Sequence, residues 1–246
     1  MRRLASIILV SVLPLSLAAC ESSQDKSARK EEIASKKAKV AQLGLVIPKA
    51  DPRLKVVGIT ILRGTDRNAI VVTIKSNAKT ALVDVPVALR AYRKGKTEVY
   101  TNTAYGTDPT LIQIPIIRPG QTFQWVDDQV IGDFPTSAKV KLGVGKELKS
   151  VPADPTLIKV HFFEDPVSGV AVKGKVTNNS PFGQSRLIVF SVVTRSGKIV
   201  AAGRSVVEKL LPKGQGKPQV FAVYYVGASP KTGAVSNFVP STDLTN

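Results

Sequence analysis

Leu54-Lys55-Val56-Val57-Gly58-Ile59-Thr60-Ile61-Leu62 is the stretch on which the fold of this chain turns. Five of its nine residues are Val, Ile or Thr. Their branched Cβ atoms are stiff in a helix and fit a pleated surface, so the run reads as a strand. Ala69-Ile70-Val71-Val72-Thr73-Ile74 follows, then Val85 to Tyr92, Leu111-Ile112-Gln113-Ile114, Thr122-Phe123-Gln124-Trp125-Val126 and Ala138-Lys139-Val140-Lys141-Leu142. Turn residues such as Lys94-Gly95 and Arg118-Pro119-Gly120 divide these runs. Alternating strands joined by short turns need two facing sheets, each burying one side, which predicts an antiparallel β-sandwich.

The second half of the chain repeats the first. Ala69-Ile70, Ile74, Asn77 and Gly95-Lys96 align with Ala171-Val172, Val176, Asn179 and Gly197-Lys198 at a constant offset of 102 residues. Later, Pro119 corresponds to Pro212, which leaves nine extra residues in the first copy, assigned to the loop Thr101–Thr110. So long a period indicates a duplicated domain, because solenoid repeats are about 20–50 residues long. Chance likeness of two unrelated sandwiches is the alternative. The joint falls at Ser150-Val151-Pro152-Ala153-Asp154-Pro155, where two prolines make a stiff connection. The expected domains are therefore residues 51–150 and 151–246.

Ahead of the strands, residues 25–43 are rich in Ala, Lys and Glu, with no Pro or Gly, and Gly44 stands where a helix would end. Residues 20–50 read as a spacer, either a helix of four or five turns or a disordered tether. Further out, Met1-Arg2-Arg3 is a short positive start, and Leu4 to Leu17 is almost wholly apolar. That run is shorter than the roughly 20 residues a membrane-spanning helix needs, and it predicts a signal peptide over residues 1–19. Leu17-Ala18-Ala19-Cys20 completes it. This tetrad resembles the lipobox of bacterial lipoproteins: a branched apolar residue, two small residues and a cysteine. The resemblance implies cleavage before Cys20, a lipidated Cys20 thiol and an extracytoplasmic, membrane-held protein. Two or more acyl chains, palmitate among them, make such anchoring stable.

Cys20 is the single cysteine. Disulfides, thiolate metal sites and cysteine nucleophiles are therefore excluded beyond the anchor. The precursor carries 35 Lys and Arg against 18 Asp and Glu. Loss of Arg2 and Arg3 leaves 33 against 18, or +15, with +3 in residues 21–50, +6 in 51–150 and +6 in 151–246. Such a surface is drawn to anionic lipid or wall polymer, or only aids solubility. No nucleic-acid motif or series of base-stacking aromatics accompanies it, so specific nucleic-acid binding is not expected.

Residues 165–226 resemble the FxLYD-type immunoglobulin-like domain of bacterial lipoproteins. The residues concerned are Lys173 to Ser180, Phe190-Ser191-Val192-Val193-Thr194, Gly197-Lys198-Ile199-Val200, and Leu211-Pro212-Lys213-Gly214 before Phe221. Val193-Thr194 stand where that family has Tyr-Asp. The resemblance implies tandem immunoglobulin-like sandwiches in an envelope setting and brings no catalytic residues.

Chemistry-bearing constellations are few. His161 is the only histidine, which rules out a multi-imidazole zinc site, and no G-x-S-x-G elbow supplies it with a nucleophile. Asp127-Asp128 with Asp133 offers oxygen ligands for calcium, but neighbouring carboxylates on a strand point to opposite faces. Gly143-Val144-Gly145-Lys146 is a fragment of a phosphate loop without the full pattern. Phe123 and Trp125 read as core, or as a ligand platform. Neither a metal nor another cofactor is expected. The favoured function is a non-catalytic binding or scaffolding module of the cell envelope, with an envelope protein or anionic polymer as partner. The alternative is an envelope hydrolase using a Ser-Lys type site.

Overall fold

The computed structural model describes residues 44–94, 97–104, 106–228 and 233–242. The expected cleavage site, Cys20 and most of the spacer lie outside them. Within them the chain is almost entirely antiparallel strand, and the only helical turn is a 3₁₀ turn at Pro109–Leu111.

The deciding stretch is strand β1 (Leu54–Leu62), paired with β2 (Asn68–Ser76), which pairs in turn with β6 (Thr122–Val130). The next strand, β3 (Ala81–Tyr92), serves two sheets. Its first half pairs with β5 (Gln113–Ile117) and β8 (Lys146–Leu148). Its second half pairs with β4 (Glu98–Thr101) and β7 (Ser137–Leu142). The strand expected over Leu111–Ile114 starts later, at Gln113. Asp108 caps the turn before it by accepting from the Thr110 N–H at 2.9 Å, and Pro109 presets the turn's backbone angle.

The second half uses the same wiring. The sheet of β9 (Thr156–Asp165), β10 (Gly169–Thr177) and β13 (Gln219–Tyr224) repeats the order of β1, β2 and β6. Likewise β11 (Gln184–Arg195) lies between β12 (Lys198–Leu210) and β15 (Ala234–Phe238), as β3 lies between β4 and β7. The short β14 (Val226–Gly227) borders β12. Even the irregularities recur at the offset of 102. Val57 is bulged out of β1, and the register of β9 shifts across Lys159–Val160. Asp84 and Arg186, both non-glycine, take left-handed φ values of 51° and 49°. Such angles are uncommon for these residue types, so their recurrence marks one backbone design used twice.

Residues 43–246 form one compact unit, because the apolar core runs across the covalent joint. Asn68 to Val72 of β2 are buried without alternation, so both faces of that strand are covered. Val85, Val87, Leu89 and Ala91 of β3 join the resulting cluster from the first half. Ile188, Phe190, Val192, Ala202 and Val226 join it from the second. Phe123 meets Phe190 and Phe238 edge to face, with ring centroids 5.5 and 5.1 Å apart. Strand β12 reaches β1, β2 and β6 together. Its Gly203 sits so close to the neighbouring backbone that a Cβ would lie 2.3 Å from the Tyr224 carbonyl oxygen. A second cluster, around Val172, Val189, Val207 and Phe221, fills the space between the two sheets of the second half.

Candidate functional site

Where β6 meets β12, charged groups are buried within the apolar seam. Asp127 and Asp128 continue β6 beyond Trp125 and Val126, and the strand turns them to different partners. The Tyr100 hydroxyl donates to the Asp127 carboxylate at 2.7 Å, and the Gln129 N–H donates at 3.0 Å. Asp128 faces the second half: the Arg204 backbone N–H donates to it at 3.1 Å, and its Oδ1 lies 3.4 Å from the Arg204 Nε. The Arg204 side chain is only 2% exposed and that of Asp128 6%. Arg204 also donates to the Thr110 hydroxyl at 2.7 Å, and its other terminal nitrogen lies 3.4 Å from Asp108. Arg186, turned by its left-handed backbone, reaches Asp108 at 2.7 Å.

Burial raises Asp127 to about 6, although the Tyr100 hydroxyl, the Gln129 amide and the Arg204 charge all favour its ionised form. Burial and the adjacent Asp127 charge push the Tyr100 phenol upward. For Asp108, burial works in the same direction but is outweighed. Two hydrogen bonds from Thr110 and the charges of Arg204 and Arg186 hold that carboxyl below its ordinary value. Each ion in the seam has a neighbour of opposite charge or a donor, so the arrangement ties loop Thr101–Thr110, β6 and β12 together.

Asp133 is 2.9 Å from Arg93 on the surface, whereas Asp127 takes Tyr100 as its partner. Among the described residues, no group of three His, Cys, Asp or Glu side chains could hold a metal ion. Trp125 is fully buried and Phe123 nearly so, which makes both core residues and leaves neither ring exposed as a platform. His161 lies on the exposed strand β9, with Nδ1 2.9 Å from the Lys159 carbonyl oxygen. The segment Gly143–Lys146 is occupied internally. The Gly145 N–H donates to Asp51 at 3.2 Å, and Lys146 pairs with Asp84. Asp51 also takes hydrogen bonds from the Arg53 backbone and guanidinium, which hold its carboxyl below the usual range, while Arg53 reaches across to Glu147.

The buried serine hydroxyls are likewise engaged. The Ser191 hydroxyl lies 2.6 Å from both the Tyr225 hydroxyl and the side-chain amide oxygen of Asn237, and Ser241 donates to the Ala153 carbonyl. Ser76 and Ser180 accept from the Ala78 and Phe182 amides. Arg204, Tyr100 and Asp108 carry the seam, yet none stood out in the sequence. One signal was present: Arg204 interrupts the otherwise uncharged run Val200 to Val207. No protein-family model and no curated protein matches this chain.

Proposed function

We propose that this chain is an extracytoplasmic lipoprotein, anchored through Cys20, that serves the cell envelope as a non-catalytic binding or scaffolding module. The observation that carries the reading is Leu17-Ala18-Ala19-Cys20 directly behind a short apolar run with a positive start. Three further features support it. The resemblance of residues 165–226 to the FxLYD-type domain fits an envelope setting. The single cysteine is placed where a lipid would attach. The buried charges of the seam serve to hold strands together.

The test is expression of the full chain in a bacterium fed labelled palmitate. The wild type is expected to incorporate label and to sediment with membranes. Cys20→Ala is expected to lose the label and either leave the membrane fraction or persist as precursor. A Cys20→Ala protein that remains processed and membrane-held overturns the proposal.

A further inference from the structure

The segment 44–50 connects the tether to β1, and it is fixed in place. Gly44 has a φ of +67°, and a Cβ there would lie 1.9 Å from the Thr103 carbonyl oxygen. Lys141 Nζ donates to the Ile47 carbonyl at 2.6 Å and lies 3.3 Å from that of Pro48. The Asp51 N–H then donates to the Leu142 carbonyl at 3.0 Å. Between this segment and the outer face of β3 and β7 lies a recess of about 340 Å³, lined among others by Val46, Arg90, Tyr92, Thr103, Lys139 and Lys141. Three cations line it, and no acid does.

The strand register makes the charge more pointed. Arg90 pairs directly with Lys139 across the β3–β7 ladder, and Ala88 pairs with Lys141. Like charges directly opposite in a sheet destabilise it unless an anion lies between them. Lys139 Nζ leans over the Tyr92 ring at 5.7 Å, and the nearest acid to Arg90 is Glu98, 3.5 Å away on the other flank in β4. At the edge of the recess, Val46 is 71% exposed. A cation pair with no acid on its recess side, Glu98 meeting Arg90 only from the other flank, beside a protruding apolar side chain matches an anionic lipid: phosphate for the cations, and the apolar level just beneath it for Val46.

We infer that this recess seats the phosphate headgroup of an anionic lipid in the membrane that holds the anchor. The inference rests on the lipoprotein reading for its choice of ligand. Twenty-three residues separate Cys20 from Gly44, a reach of at most about 80 Å when extended, so the recess can meet the same bilayer. It is also the feature nearest in sequence to the tether, at the end of the folded unit where the anchored chain arrives. The recess turns a diffuse positive charge into a local site, and it orients the module on the membrane.

The experiment uses the mature chain, residues 20–246, with Cys20→Ser so that no acyl chain contributes. Co-sedimentation is measured with phosphatidylglycerol–phosphatidylcholine vesicles and with pure phosphatidylcholine at 0.1 M salt. Each cation near an anionic surface strengthens binding about fivefold, so Arg90→Gln with Lys139→Gln is expected to lower affinity about 25-fold. Lys209→Gln with Lys213→Gln removes the same charge from exposed positions in the second half and is expected to cost less than about threefold. Val46→Ser, at an exposed position that cannot upset the core, should weaken binding severalfold. Equal losses from the two double variants would overturn the inference in favour of diffuse charge. Absence of binding to anionic vesicles, or equal affinity for soluble polyglycerol phosphate, would overturn it as well. Because the assay contains no lipid anchor, those failures leave the Cys20 labelling result untouched, and a failure there leaves this one measurable.

Discussion

Arg204→Met probes the seam most directly. The substitution keeps an unbranched side chain of similar reach and removes the guanidinium. Asp128, with its side chain 6% exposed, then keeps only the backbone N–H of residue 204 as a donor, and the Thr110 hydroxyl loses its Arg204 donor while still donating to Asp108. Stranding one member of a buried pair costs about 3–5 kcal/mol. For a unit of about 200 residues this corresponds to a fall in Tm of about 6–20 °C. The exposed Arg93–Asp133 pair, 2.9 Å apart, is the internal control, since Arg93→Met should cost less than about 1 kcal/mol. Chemical denaturation would be followed by far-UV circular dichroism and by the fluorescence of Trp125, the only tryptophan. Trp125 lies in the first half and Arg204 in the second, so coincident shifts of both signals report coupling across the seam. In the double variant Arg204→Met, Asp128→Asn, the combined loss should be smaller than the sum of the single losses, because no carboxylate is left unpaired. A cost below about 1 kcal/mol for Arg204→Met, or a Trp125 transition that does not move, would refute the reasoning.

Asp127 gives a pH signature of opposite sign to most carboxylates. Its pKa in the folded protein, about 6, lies above the ordinary 3.8, so ionising it opposes folding above pH 6 and that cost fades as pH falls toward 4. Asp127→Asn, which keeps an acceptor for Tyr100, should stabilise the protein by about 1–3 kcal/mol at pH 8 and by nothing below pH 4 in thermal melts. A variant with the same advantage at both pH values would refute that account. Phe190→Ala removes a buried ring that contacts Phe123 across the seam and should cost about 3–5 kcal/mol. The shared cluster predicts that calorimetry will still show a single transition, displaced to lower temperature, whereas two separated transitions would show the halves unfolding independently.

Much of the fold is local in origin and could be read from the chain. The β-branched runs at Leu54–Leu62 and Ala69–Ile74 and the alternating run Ala138–Leu142 form strands, since stiff or alternating side chains leave few other conformations open. The offset of 102 is matched by the recurring strand pairings, the two bulges and the left-handed residues Asp84 and Arg186, because equivalent sequences fold by the same local rules. A single cysteine behind an apolar run was likewise evident without coordinates. Alternation, however, shows only that each strand buries one face. It could not show that β2 is covered on both faces, or that Phe123 would meet Phe190 and Phe238 from the other half. Nor could spacing assign partners to adjacent acids. Asp127 goes to Tyr100, Asp128 to Arg204, and the amide of Gly145 to Asp51 instead of a ligand. Those choices depend on chain segments about 27 to 94 residues apart meeting in space, where desolvation makes each buried charge take whichever partner the fold brings within reach.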